Sequence, residues 1–287
     1  MRGAADGATI AVIDGRMAMK TILVHVDADD GQPARLQAAF DLARAFGGHL
    51  TCLQVTPYAA YALGEPAMGA FPVTALIEAI EKERRAERQA VETRLRHEGV
   101  SWDWVTREGD TADWLVETAR LADVVVMSSG PYSGNATARL ALAGDVAVRA
   151  PAPVIAVPPT SRGIAVTGAA LIAWDGSQEA ALALRAALPM LRLAESVDIL
   201  AVAERPTAFT ARAAAAYLSR QGVAAEVIER TCDGDTIEAV IRGVVTERRS
   251  AWLVQGAYGH SRLRETVFGG VTRGLLADAP VPLLLAH

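Results

Sequence analysis

The chain has 287 residues, of which 51% are hydrophobic and 21% charged, with a formal net charge of −5. That composition can build a sizeable core and excludes a disordered chain, and with no basic stripe to neutralise phosphates it argues against non-specific nucleic-acid binding. Cys52 and Cys232 lie far apart without metal-ligand spacing, so neither a disulfide framework nor a structural metal is expected and a reducing cytoplasm is the default. No apolar run approaches the roughly 18–20 residues that cross a bilayer, so no membrane partner is expected.

Residues 1–16 carry Asp6 and Asp14 and no sustained apolar stretch, and read as an N-terminal tail. The first strand is Thr21-Ile-Leu-Val-His-Val, ending at Asp27. A helical segment over 33–46 stops at Gly47-Gly48, and a second strand covers 50–55. Residues 57–71 are rich in Gly, Pro and Ala, and a charged helix follows over about 73–98, with mixed-sign neighbours such as Glu81 and Arg85. Gly109-Asp110-Thr111 opens another helix, with Asp110 as N-cap and Asp113 three residues on. Pro151-Ala-Pro then leads into the apolar run 154–157.

The same order of signals returns. Ala170-Leu-Ile-Ala-Trp ends at Asp175, 148 positions after Asp27, and Val202 closes a strand 147 positions after Val55. Gly234-Asp235-Thr236 repeats the earlier Gly-Asp-Thr at an offset of only 125, with Asp235 and Glu238 as the second D-x-x-[DE] cap. The drop from 147 to 125 is a difference of 22 residues, filled in the first half by the segment that includes the charged helix. Continuous Val/Ile/Leu runs alternating with helices suit parallel strands buried on both faces. An α/β fold of two Rossmann-like, doubly wound domains with parallel sheets is therefore predicted, with boundaries at 17–160 and 161–287. Both final strands, 154–157 and 283–286, are apolar and would be exposed edges unless paired. They are expected to pair antiparallel, starting after Pro282, so that the chain is an intramolecular pseudo-dimer.

The most informative motif follows a short buried strand over 251–254. It runs Gly256-Ala-Tyr-Gly259, nine residues, then Gly269-Gly270-Val271-Thr272 at the start of a short helix. Glycines let the backbone approach a ligand without a Cβ, and a helix N-terminus offers N–H groups and the positive end of a dipole to phosphate. This loop resembles the G-x2-G-x9-G-(S/T) loop of the universal stress protein family, with Gly270 where the family carries a hydroxyl. The strand-end aspartates, the second-strand valines, the Gly-Asp turns and the proline-flanked final strands stand in family order across nearly all of residues 20–287. The resemblance implies an adenine nucleotide ligand, ATP with or without magnesium. It carries base and ribose contacts to Asp175 and Val202, and ribose and phosphate contacts to Gly256, Gly259, Gly269, Gly270, Val271 and Thr272.

Taken alone, Asp175 in Asp-Gly-Ser is also a turn residue, and Val202 is also core. In the first half, Gly134 and Gly144 have the nine-residue spacing but fall out of register with the second loop, and Asp145 would place a carboxylate where phosphate should sit. The first site is expected to be degenerate. No G-x-S-x-G elbow, Walker motif or positioned general base is present, so at most slow ATP turnover is expected. Two functions compete: a nucleotide-binding stress-response module, and a scaffold that binds no nucleotide and acts through protein contacts. A homodimer beyond the internal pairing is left open.

Overall fold

The computed structural model describes residues 18–58, 73–130, 136–202, 209–258 and 270–287. The tail over 1–16 and the loop glycines Gly134, Gly259 and Gly269 lie outside them.

In the first half, β1 (Thr21–Val26), α1 (Gln32–Phe46), β2 (His49–Thr56), α2 (Val73–Glu98) and β3 (Ser101–Glu108) come first. They are followed by α3 (Thr111–Thr118), β4 (Val124–Ser128), α4 (Ala136–Arg149) and β5 (Val154–Val157). The second half repeats the series with β6 (Ala170–Ala173), α5 (Gln178–Leu191), β7 (Val197–Val202), α6 (Ala211–Arg220) and β8 (Glu226–Arg230). It closes with α7 (Ile237–Glu247), β9 (Trp252–Gly256), α8 (Gly270–Ala277) and β10 (Leu283–Ala286).

The strands form one ten-stranded sheet in the order β3-β2-β1-β4-β5-β10-β9-β6-β7-β8. Pairing is parallel within each half and antiparallel where β5 meets β10, in the register Leu283↔Ala156, Leu284↔Ile155 and Leu285↔Val154. This is the expected pseudo-dimer: each final strand removes the other's free edge, and the pairing begins directly after Pro282. The carbonyl of Pro282 accepts from Leu253 N–H, so the residue joins β9 through its oxygen at the start of the strand, where proline is tolerated.

Alternate strand residues feed two cores, one per face. Ile22, Val24 and Val26 pack with Phe40, Leu42, Leu184, Leu188 and Leu218 of α1, α5 and α6. Leu23 and Leu253 pack with Leu115, Val146, Ile241 and Leu275 of α3, α4, α7 and α8.

Local signals hold with one correction. Gly47 ends α1 in the left-handed region at φ 57°, and the Asp110 carboxylate caps α3 by accepting from Asp113 N–H at 2.9 Å. The second cap is Thr236 rather than Asp235: its hydroxyl accepts from Ala239 N–H. Asp233 and Gly234 turn the chain at positive φ (46° and 99°), which starts the helix one residue later than in the first copy. Arg85 and Glu81 bond at 3.1 Å on the exposed face of α2, as expected of a solvated helix.

Candidate functional site

In a doubly wound sheet the ligand crevice opens where the strand order reverses, at the carboxyl ends of the strands. In the second half that point lies between β6 and β9. The turn after β6 carries Asp175, which is exposed and accepts from Ser177 N–H at 2.9 Å. Ser177 caps α5 by accepting from Ala180 N–H at 3.1 Å. The strand end therefore presents a carboxylate beside a helix N-terminus. Val202 ends β7, the next strand out, half-buried and paired with Arg230.

Gly256 ends β9, and its missing side chain has a structural cause. A Cβ there would lie 2.5 Å from Ala180 N and 2.6 Å from the Glu179 carbonyl carbon. Helix α5 thus crosses the strand in direct backbone contact, as the close-packing glycine of a nucleotide crevice does. Gly270 opens α8 with ordinary space around it: a Cβ would meet only Glu238 Oε1, at 3.7 Å. Val271 is half-buried, and Thr272 is buried with its hydroxyl turned inward, accepting from Gln255 Nε2 at 3.3 Å and from Tyr258 N–H at 3.4 Å. Thr272 therefore ties α8 to the start of the glycine loop. Of the eight residues named from sequence, the structure brings Asp175, Gly256, Gly270, Val271 and Thr272 to this end of β6, β9 and α8, with Val202 on the neighbouring strand. Gly259 and Gly269 lie outside the described residues.

Glu238, half-buried in the first turn of α7, was not singled out as a site residue. It stands beside the N-terminus of α8, where its carboxylate complements the dipole. The Gly-Asp-Thr turn that opens α7 was the available signal, since it fixes which first-turn residue faces α8.

The matching crevice of the first half is filled by the protein itself. Ser128 holds the position of Gly256, at the end of β4, and its hydroxyl accepts from the Arg35 guanidinium. Arg35 is fully buried, paired with Asp29 at 2.8 Å and donating to the Asp27 carbonyl at 2.8 Å. Asp27, the counterpart of Asp175, is engaged at 3.1 Å by Arg84 from α2. Arg84 also bonds Glu87 at 3.0 Å, and Glu87 in turn accepts from Gln32 and Gln54 at 2.8 Å and 2.7 Å. What remains is a cavity of about 20 Å³ lined by His25, Asp27, Asp29, Arg35, Met127, Ser128 and Leu142, room for about one water. Burial, helped by the Arg35 charge, lowers the pKa of His25 to about 4, so it sits there as the neutral imidazole.

Asp145, by contrast, is not at a phosphate seat. It lies well inside α4 and bonds Arg149 at 2.7 Å on the surface. A second first-half cleft of about 230 Å³ lies between α2 and the ends of β2 and β3. Its three guanidiniums already hold carboxylates: Arg84 with Asp27 and Glu87, Arg85 with Glu81, and Arg88 with Glu92. Trp104 and Trp114 lie under Arg88 and Arg107 as packing partners.

Comparison with known proteins agrees with this architecture. Residues 19–158 match the universal stress protein family. A universal stress protein from Archaeoglobus fulgidus DSM 4304 superposes with a TM-score of 0.73 at 16% identity, covering 94% of this chain and 97% of that one. A functionally unknown protein from Pseudomonas aeruginosa PAO1 superposes at 0.59, with 16% identity over 94% of this chain and 93% of that one. A putative universal stress protein from Pseudomonas aeruginosa UCBPP-PA14 follows at 0.55, with 16% identity and 94% of each chain covered. No curated protein matches the sequence. The first half of the chain, residues 19–158, matches the universal stress protein family by sequence, and the second half repeats its fold. Among the described residues no helix is long and apolar enough to cross a membrane.

Proposed function

We propose that this tandem protein is a stress-signalling module that binds one adenine nucleotide, ATP with or without magnesium, in its second half. In this reading its domains are 17–160 and 161–287. Asp175 and the Val202 backbone face the base and ribose; Gly256, Gly259, Gly269, Gly270 and the opening of α8 at Val271 and Thr272 face the ribose and phosphates. The observation that carries the reading is the contrast between the two switch points. The first is plugged by Arg35, Ser128 and Arg84, whereas the second has Gly256 and alanines at 180 and 183 against the same sheet edge. Backbone N–H groups at the start of α8 suit a phosphate there, which would displace the Glu238 carboxylate that now stands beside them.

The scaffold reading has two observations in its favour. Gly256 is explained by the packing of α5, and the Thr272 hydroxyl is spent inside the protein. Titration with an ATP analogue decides between them, with saturation expected at one site per chain. Gly259→Asp adds bulk and charge at the phosphates and is expected to abolish binding, whereas Gly134→Asp leaves it intact. A stoichiometry of two, no binding, or equal sensitivity to both substitutions overturns the reading.

A further inference from the structure

The nine-residue spacing of Gly134 and Gly144 suggests a broken loop, but Gly144 has another use. It lies buried in α4, and a Cβ built on it would overlap the hydroxyl of Tyr258 from the opposite half. The next nearest atom, ring carbon Cζ of the same tyrosine, is 3.4 Å away. Gly144 is a notch cut for that hydroxyl.

Tyr258 lies near the start of the glycine loop, between Gly256 and Gly259, and holds φ 61°, a left-handed backbone rare for a bulky residue. Its N–H points to Thr272 of α8, and burial pushes its phenol up to about 12 against the pull of Arg273. Helix α8, which follows the loop, packs on α4 as well, and its Leu276 carbonyl accepts from Gly130 N–H at 2.7 Å. Gly130 takes the Tyr258 position in the first half, with φ 96°. It carries no ring, so the lock runs in one direction only. The elements on both sides of the second half's loop thus rest on one helix of the first half.

We infer that Tyr258 is a positioning residue for nucleotide binding, and that its seat on Gly144 couples occupancy of the second half to helix α4 of the first. The inference rests on the proposed nucleotide function. A residue with positive φ at the lip of the loop is held only where its surroundings over-determine it, and the notch supplies that constraint from outside the domain. A nucleotide bound beside Tyr258 and the start of α8 holds the ring in the notch and steadies α4. By reciprocity, loosening the notch weakens the nucleotide.

The test is a cycle of full-length variants measured with an ATP analogue. Gly144→Ala is expected to weaken binding about tenfold by driving the hydroxyl out. Tyr258→Phe removes the clashing atom and leaves ring carbon against methyl at ordinary contact distance, so Gly144→Ala/Tyr258→Phe is expected to recover to within about threefold of the parent. Tyr258→Ala, which empties the notch without a clash, covers the case in which Gly144→Ala does not fold, and is expected to bind about tenfold more weakly. The coupling has its own readout: amide exchange over residues 142–149 slows on adding the analogue to the parent chain and not to Tyr258→Ala. Parent-like binding by all variants, or α4 exchange indifferent to the analogue, overturns the inference while leaving the nucleotide reading intact. A parent chain that binds no analogue overturns both.

Discussion

The two switch points are built from the same elements in the same order, and they differ in what occupies the space above the strand ends. In the first half a fully buried guanidinium bridges β1, α1 and β4. In the second, α5 comes down onto β9 in backbone contact at Gly256, with Ala180 and Ala183 buried there. The 22-residue difference between the halves is part of this contrast, because the longer first-half helix α2 supplies Arg84 and Glu87 to the plug. The first half fills its switch point with a polar core, and the proposed nucleotide site lies at the switch point of the second.

Removing the plug is the most severe way to test the comparison. Arg35→Met leaves Asp29 buried with its cation gone and is expected to cost about 4 kcal/mol in urea unfolding. It is not expected to create a second nucleotide site, because the first half has no glycine loop. A gain of stability, or a stoichiometry rising to two, would show that Arg35 merely fills space.

The neutral His25 gives the same plug a pH signature. Its folded pKa of about 4 lies below the ordinary 6.5, so the unfolded chain takes up a proton that the folded chain refuses. The stabilising contribution is complete above pH 6.5 and is lost as pH falls from there toward 4. It amounts to ~3 kcal/mol at most. His25→Gln is expected to flatten that limb of the stability–pH curve, and an unchanged limb would assign the acid sensitivity elsewhere.

On the open side, Gly256→Ala sets a methyl against the backbone of Glu179 and Ala180, which cannot swing away as a side chain could. The expected cost is about 2 kcal/mol in thermal unfolding, with loss of analogue binding as α5 is pushed off β9. The smallest change adds a hydroxyl at the opening of α8. Gly270→Ser has room, and is expected to leave stability within ~0.5 kcal/mol while tightening ATP about fivefold through one added hydrogen bond. Unaltered affinity would mean that the phosphates do not reach the first turn of α8.

Much of this architecture was legible in the sequence, because buried parallel strands announce themselves as continuous apolar runs and a duplication repeats their order. The antiparallel seam followed from two apolar strands that would each leave one edge unpaired, and Asp175, Gly256 and Gly270 were marked by turn and loop chemistry. The plug was not legible, since an arginine in a helical segment ordinarily reads as solvated. The signal was present: Arg35 heads the face continued by Ala38, Ala39 and Leu42, all of them fully buried, so a charge stood on the core-facing stripe. Gly144 fell out of register with the loop, and its actual use was not legible because its partner, Tyr258, is remote in sequence. The cap at Thr236 was missed by one residue because a positive-φ turn has no pattern beyond Asp233-Gly234 itself.

The antiparallel junction of β5 and β10 also bears on how such a molecule can change over generations. In a dimer of identical chains every substitution is made twice, so a guanidinium that closes one crevice closes both. Joining the copies end to end releases that tie. Arg35, Arg84 and Gly144 can then stand in one half while Gly256 and Tyr258 stand in the other, and the two halves of one chain are free to differ at equivalent positions.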